Sequence, residues 1–190
     1  DSGNISLTPN NVYGQLIEGD VIHVDFHSVA LKISKVGEDV HIAEVISPGK
    51  VGSNKAINID RDIELSPVTE KDIEAFEIGK SMGVENYSLS FTNSAEDVRI
   101  VRDIIGKSNL ISKIESIKGV LNLAEILPLV DQILIDRGDL SREVEIEKIP
   151  FIQRRIIAHA KSNNTPVYVA TNLLESMIHY HVPTRAEVND

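Results

Sequence analysis

The chain of 190 residues contains no cysteine and no tryptophan. Without cysteine, disulfides, zinc sites with thiolate ligands and cysteine nucleophiles are excluded. Phenylalanine and tyrosine contribute only four side chains each. We therefore do not expect an aromatic surface that stacks the bases of single-stranded nucleic acid.

Basic side chains are also scarce, with 19 lysines and arginines against 29 acidic residues and a net charge of −10. Because duplex nucleic acid is bound through clusters of lysine and arginine, we expect no nucleic-acid partner. A single local group of basic side chains would still be enough to hold a phosphorylated small molecule.

Long apolar runs are missing as well. The longest candidate, residues 120–135, is interrupted by Glu125, Pro128 and Asp131, whereas a membrane helix needs about 20 apolar residues. The first ten residues lack the basic start and apolar segment of a signal peptide. These patterns predict no membrane partner.

The first third of the chain has the pattern of short β-strands. The region contains three apolar or β-branched runs, residues 21–24, 30–34 and 40–45, and turn signals with glycine at 19–20, 37–39 and 48–49. Residues 47–61 are rich in Gly, Ser, Asn and Lys and are interpreted as a loop or linker. We predict that residues 1–60 form part of a small all-β domain.

In the second predicted domain, residues 61–190, strands alternate with helices. Thr69 with Asp72, and Ser94, are typical residues for the start of a helix. Strands are predicted at 87–91, 110–114, 132–135 and 166–170, and further helices at 117–127 and 149–163. This alternation favours an α/β fold with a parallel sheet. The unit is either a small open sheet or about half of a (β/α)₈ barrel, which takes about 250 residues.

Polar side chains lie at the carboxyl ends of these strands, where parallel α/β proteins bind their ligands. Lys113 and Glu115 are two residues apart and so share one face of an extended chain. Carboxylates of this kind suit Mg²⁺, and a neighbouring lysine suits a phosphoryl or enolate oxygen. The full set is Ser90, Phe91, Lys113, Glu115, the run Asp-Arg-Gly-Asp at 136–139, Thr171 and Asn172.

Each of these residues also has a purely structural interpretation. Lys113 and Glu115 are equally consistent with a simple ion pair at a strand end. Asp139 can be a helix N-cap, and Thr171 can stabilise a turn. His179 and His181 share a face if extended, but the sequence offers no third ligand beside them. We interpret the two histidines as solvated loop residues.

An ordered series of short motifs resembles consecutive motifs of the pyruvate kinase family, and it extends over nearly the whole of residues 19–190. The motifs are Gly-Ser-Asn-Lys at 52–55, Thr-Glu-Lys-Asp at 69–72, Ser-Phe at 90–91, Ala-Glu-Asp-Val at 95–98, Ser-Lys-Ile-Glu at 112–115, Arg-Gly-Asp-Leu at 137–140, Ala-Thr-Asn-Leu-Leu-Glu-Ser-Met at 170–177 and Pro-Thr-Arg-Ala-Glu at 183–187. The resemblance implies a TIM-type (β/α)₈ barrel with a small all-β lid domain inserted. Residues 1–60 would be the later part of that lid, and residues 61–190 the middle of the barrel.

The resemblance also implies roles for individual residues. Glu115 and Asp139 match the metal ligands and would hold Mg²⁺ or Mn²⁺. Lys113 matches the lysine that contacts the transferring phosphoryl group, and Thr171 the threonine beside the carbon that gains a proton. Lys55 matches a lid lysine that reaches nucleotide phosphates.

Substrate contacts are implied for a further group of residues. The backbone of residues 136–139 would offer N–H groups to the substrate carboxylate, and Ser90 and Phe91 would line the substrate pocket. The substrate-binding positions matched in this way are Ser90, Phe91, Asp136, Arg137 and Gly138.

The sequence departs from the family pattern at several positions. Asp136 stands where the family usually has a small residue, and its extra negative charge should weaken anion binding unless the side chain turns away or pairs with Arg137. Ala56, Ser141 and Asn172 are further departures. The family's opening strands, with the substrate-binding arginine and the ligands of K⁺, have no counterpart in this sequence.

The activity implied is phosphoryl transfer between phosphoenolpyruvate and ADP, giving pyruvate and ATP in glycolysis, in the cytoplasm. Two alternatives stay open: a barrel-type lyase or aldolase that acts on a pyruvate enolate with the same metal, and a truncated or diverged binding module without catalysis. Because half a barrel leaves open strand edges, we expect a homo-oligomer or part of a longer chain.

Overall fold

The structure is a computed structural model that describes residues 3–25, 28–171 and 173–189. It divides into two compact units, Asp1–Ser66 and Pro67–Asp190. The domain assignment made from the sequence, residues 1–60 and 61–190, stays a prediction.

The described part of the first unit forms an antiparallel sheet in the order β3-β2-β1-β4. Its strands are β1 (Val21–Val24), β2 (Val29–Lys35), β3 (Ile42–Ser47) and β4 (Ile57–Ile59), and a 3₁₀ helix at Asn10–Gln15 precedes them. Ile22 and Val24 alternate with partly buried neighbours and enter an apolar core that also contains Val12, Val29 and Ile33. The interpretation of residues 47–61 as a loop is wrong at β4, which is a strand because it pairs with β1.

The second unit is built on a parallel sheet in the order β5-β6-β7-β8, as far as the described residues extend. The strands are β5 (Asn86–Leu89), β6 (Asn109–Ile114), β7 (Gln132–Asp136) and β8 (Val167–Ala170). Consecutive strands are neighbours, and each pair is parallel. Since helices lie between them in the chain, this is the arrangement of part of a (β/α)₈ barrel, as predicted.

The helices of this unit are α1 (Glu70–Ser81), α2 (Ala95–Ile105), α3 (Ile117–Leu121), α4 (Leu123–Ile126), α5 (Arg137–Leu140), α6 (Ile149–Ser162) and α7 (Arg185–Asn189). Helical turns of the 3₁₀ type lie at Leu127–Leu129, Ile146–Lys148 and Glu175–Ile178. Among the described residues, none of the helices has both the length and the apolar character needed to cross a membrane.

The helix starts predicted from N-cap residues are confirmed. Thr69 with Asp72 and Ser94 with Asp97 each form a capping box, in which side chains and backbone N–H groups satisfy one another. The single helix predicted over residues 117–127 is wrong. The chain breaks at Asn122 between α3 and α4, because the Asn122 amide donates a 2.8 Å hydrogen bond to the carbonyl of Asn93.

The core of the second unit lies between the sheet and its helices. Leu110, Ile114, Ile133 and Ile135 alternate along β6 and β7 and are fully buried, as are apolar residues of α2 and α6. Because alternate residues of a strand face opposite sides, Lys113 lies on the other face of β6. Burial of one face therefore directs this functional candidate away from the helices.

Candidate active site at the carboxyl ends of the parallel strands

Three carboxylates meet at the carboxyl ends of β6 and β7. Glu115 directly follows β6, Asp136 ends β7 and Asp139 lies in α5. One carboxylate oxygen from each lies within 4.8 Å of the other two. Glu115 is only 1% exposed, and the other two residues are partly buried. Three negative charges this close repel one another unless cations balance them.

Lys113 supplies a positive charge inside this acidic cluster. Its Nζ lies 2.6 Å from Glu115 Oε1 and 3.5 Å from Asp136 Oδ2. Burial opposes the charged ammonium, but pairing with Glu115 and Asp136 outweighs it and raises the pKa of Lys113. The ion pair suggested by the sequence is therefore present, and it forms part of a larger group of charges.

Glu115 also connects β6 to the end of β5. Its Oε2 accepts a 2.6 Å hydrogen bond from the backbone N–H of Phe91. Burial raises the pKa of Glu115 above its ordinary value, while the hydrogen bonds from Lys113 and Phe91 oppose that rise. Phe91 has φ +48°, a left-handed conformation that is uncommon outside glycine. Its side chain and that of Ser90 are exposed at the same rim.

Asp136 is held by donors from two neighbouring segments. Its Oδ1 accepts hydrogen bonds from Thr171 Oγ1 at 2.7 Å, the Gly138 N–H at 3.2 Å and the Asp139 N–H at 3.5 Å. Burial opposes ionisation, but the donors Thr171 and Asp139 together with the Lys113 charge lower the pKa of Asp136. Asp136, and not Asp139, is therefore the N-cap residue of α5.

Glycine at position 138 allows this close approach. A Cβ atom there would lie 3.0 Å from Thr171 Cγ2 and 3.4 Å from Asp136 Oδ1. A larger residue would press on the Thr171 methyl group, since 3.0 Å is shorter than ordinary carbon contacts of about 3.5–4.0 Å.

Thr171 is held in a strained conformation after β8. Its φ is +79°, in the left-handed region that β-branched residues rarely adopt. The Arg137 guanidinium donates two hydrogen bonds to the Thr171 carbonyl, from Nε at 3.1 Å and from Nη2 at 2.7 Å. Arg137 is 9% exposed. Strained non-glycine residues such as Phe91 and Thr171 concentrate at functional sites.

Arg142 is a member of the cluster that the sequence analysis missed. Its Nη2 lies 2.8 Å from Asp139 Oδ1, three residues earlier in the chain. The sequence did contain a signal for this pair: Arg142 follows the predicted ligand Asp139 by three residues, and side chains at that spacing meet on a helical turn. Ser141, a departure from the family pattern, donates from Oγ to the Gly138 carbonyl at 2.7 Å.

The donor set of Glu115, Asp136 and Asp139 fits a hard divalent cation. Mg²⁺ prefers carboxylate oxygens at about 2.1 Å, so opposite ligands lie about 4.2 Å apart. The ligand oxygens of the three carboxylates lie within 4.8 Å of one another, which is close to that separation. The Glu115 carboxylate is also too deeply buried to be an ordinary solvated surface acid. His179 and His181 are exposed and do not belong to this group.

A pocket of about 190 Å³ adjoins the cluster. Arg137, Gly138 and Thr171 line it together with apolar side chains that include Ile146 and Ile149. This volume is below the roughly 300–1,000 Å³ of pockets for drug-sized ligands. Lys113, Glu115, Asp136 and Asp139 are not among the described residues that line it.

Lys55 belongs to the first unit. Its Nζ lies 3.0 Å from Asp25 Oδ2, and the lysine side chain is 42% exposed. The nucleotide-binding role suggested for Lys55 stays a prediction.

The whole chain, residues 1–190, matches the family model for the pyruvate kinase barrel domain. Pyruvate kinase of Clostridium perfringens is 38% identical over 197 residues, which cover 100% of this chain and 41% of the relative. Pyruvate kinase of Corynebacterium efficiens is 38% identical over 192 residues, covering 98% of this chain and 40% of the relative. That of Mycobacterium tuberculosis is 34% identical over 191 residues, with the same coverage of 98% and 40%. The chain thus spans about two fifths of the length of these curated relatives.

Proposed function

The chain belongs to the pyruvate kinase family, and from this premise we propose that the protein carrying it transfers a phosphoryl group between phosphoenolpyruvate and ADP, giving pyruvate and ATP. The observation that carries the proposal is the cluster at the strand ends, where three carboxylates lie within 4.8 Å of one another beside the Lys113 ammonium. Phosphoryl transfer depends on positioning and on neutralising the charge that spreads over phosphoryl oxygens. Acids that hold a dication, together with a lysine, meet that need.

We assign Glu115 and Asp139 as the ligands of Mg²⁺ or Mn²⁺. Such an ion, when bound, neutralises charge on phosphoryl and enolate oxygens. Lys113 keeps its proton because its pKa is raised, and its ammonium can therefore attract the transferring phosphoryl group.

Thr171 is assigned to the protonation of the enolate carbon. Its hydroxyl already donates to Asp136 at 2.7 Å, so it stands where a proton can be held beside the acids. Arg137 acts through Thr171, because its two hydrogen bonds to the Thr171 carbonyl oppose relaxation of the strained backbone. Gly138, Ser90 and Phe91 are assigned to the walls of the substrate site.

Further parts of the proposal are supported by family membership. They are a role for K⁺, nucleotide contact by Lys55, assembly into a homo-oligomer and a place in glycolysis in the cytoplasm. A lyase or aldolase acting on a pyruvate enolate would use the same carboxylates, so dependence on ADP separates it from the kinase.

The test is to measure pyruvate formation from phosphoenolpyruvate by the protein that carries this chain, with and without ADP. We expect formation that requires ADP and a divalent cation, and a loss of at least about 100-fold in kcat for Glu115→Gln, as for removal of one preorganised electrostatic group. Asp103→Asn, which changes an exposed acid on α2, is the control and should retain activity. A folded wild-type protein that forms no pyruvate from phosphoenolpyruvate and ADP would contradict the proposal.

A further inference from the structure

The Asp136 carboxylate is bound as a small carboxylate ligand would be. It receives a hydroxyl from Thr171, two backbone N–H groups from Gly138 and Asp139, and the ammonium of Lys113 at 3.5 Å. These are donors of the kind that recognise ionised carboxylates.

The cluster is also rich in negative charge for a site that receives an anion. Glu115, Asp136 and Asp139 stand against the two cations that the structure pairs with them, Lys113 and Arg142. An incoming carboxylate would meet the negative charge of Asp136 at the backbone N–H groups it needs.

We propose that Asp136 determines the ligand preference of this site: it acts as an internal carboxylate that occupies the Gly138 and Asp139 N–H groups that an incoming substrate carboxylate would use, and it supplies a third carboxylate to a bound dication. The inference rests on the proposed function for the identity of the substrate, a small carboxylate. It follows that the site binds a divalent cation tightly on its own and binds small carboxylates weakly.

The alternative is that Asp136 only caps α5. A cap needs a side-chain oxygen but no charge, since Asn and Ser cap helices about as well as Asp. Asp136→Asn and Asp136→Ser therefore keep the cap and remove the charge, and two variants protect the test if one of them fails to fold.

The experiment is calorimetric titration of the protein carrying this chain with Mn²⁺ alone, and then with oxalate at saturating Mn²⁺. We expect both variants to bind oxalate about 10-fold more tightly and Mn²⁺ about 10-fold more weakly than wild type. Asp103→Asn, with the same change of charge at an exposed position of α2, should match wild type in both titrations.

Oxalate affinity that is unchanged or weaker in the folded variants would overturn the inference and leave Asp136 as a helix cap. Because these are binding measurements, their result is separate from turnover. A wild type that forms no pyruvate contradicts the proposed function, whereas unchanged oxalate affinity in an active enzyme contradicts only the role of Asp136.

Discussion

The ammonium nitrogen of Lys113 lies 2.6 Å from an oxygen of Glu115, a carboxylate that is almost completely buried. Removing one partner of such a pair leaves an uncompensated charge away from water. We predict that Lys113→Met lowers the free energy of unfolding by about 1–3 kcal/mol, the cost of leaving a buried polar group unsatisfied. Urea denaturation measures this, and Lys107→Met, at an exposed position, is the control. Equal stability of the two variants would contradict the structural importance of the pair.

Ser94 tests the start of helix α2. Its Oγ accepts a hydrogen bond from the Asp97 N–H, and the Asp97 carboxylate accepts one from the Ser94 N–H in return. We predict that Ser94→Ala lowers the free energy of unfolding by about 1 kcal/mol, and that Ser94→Thr, which keeps the hydroxyl as acceptor and as donor to Asp97, loses much less. The capping box would be shown to be irrelevant if both variants unfolded at the same denaturant concentration.

Gly119 tests the contact between α3 and the segment after β5. A Cβ at this position would lie 2.5 Å from the carbonyl oxygen of Thr92, a backbone atom that cannot rotate away. In an exposed helix, Gly→Ala stabilises by about 1 kcal/mol. Here we expect Gly119→Ala to destabilise by about 1–3 kcal/mol because of overpacking.

The control for that variant is Gly14→Ala, whose new Cβ would meet nothing within 4 Å. In thermal unfolding, we expect the Tm of Gly119→Ala to lie below that of wild type. The Tm of Gly14→Ala should be equal to that of wild type or higher. Stabilisation by Gly119→Ala would mean that the approach of Thr92 is looser than described.

Glu187 gives a prediction about pH. Hydrogen bonds from the side chain and backbone N–H of Ser176, together with donors from Thr184, lower the pKa of Glu187 from its ordinary 4.5 to about 2. Since the folded-state pKa is lowered, the carboxylate contributes stability above pH 4.5, and that contribution is lost as the pH falls toward 2.

A ¹³C NMR titration should therefore place the midpoint of the Glu187 carboxyl near pH 2, and the protection of the Ser176 amide should fall over the same range. In Glu187→Gln, the Ser176 amide should be less protected from hydrogen exchange at neutral pH than in wild type. Its protection should change little between pH 5 and 2. A Glu187 midpoint near 4.5 would show that these hydrogen bonds are not maintained in solution.

Local patterns in the sequence were enough to predict much of this architecture. The strand at Val21–Val24 and the capping boxes at Thr69 and Ser94 depend on neighbouring residues. The convergence of Glu115 and Asp139 was also predictable, because parallel strands bring their carboxyl ends to one edge.

Features that depend on distant partners could not be read from the sequence. β4 is a strand only because β1 pairs with it, and the break at Asn122 follows from a bond to Asn93. The direction of the Asp136 side chain depends on Thr171, which comes from the next strand of the sheet. The sequence therefore showed that Asp136 departs from the family pattern. It did not show that the Asp136 carboxylate accepts hydrogen bonds from the donors of the site itself.

The most direct measurement is the affinity for Mn²⁺, determined by the loss of the free-ion EPR signal in wild type, Glu115→Gln, Asp139→Asn and the control Asp103→Asn. If Glu115 and Asp139 hold one dication, each site variant should bind Mn²⁺ at least about 10-fold more weakly, the smallest loss typical even for groups that only support metal ligands. The control should match wild type. Site variants that bind Mn²⁺ as tightly as wild type would contradict a metal centre at these strand ends.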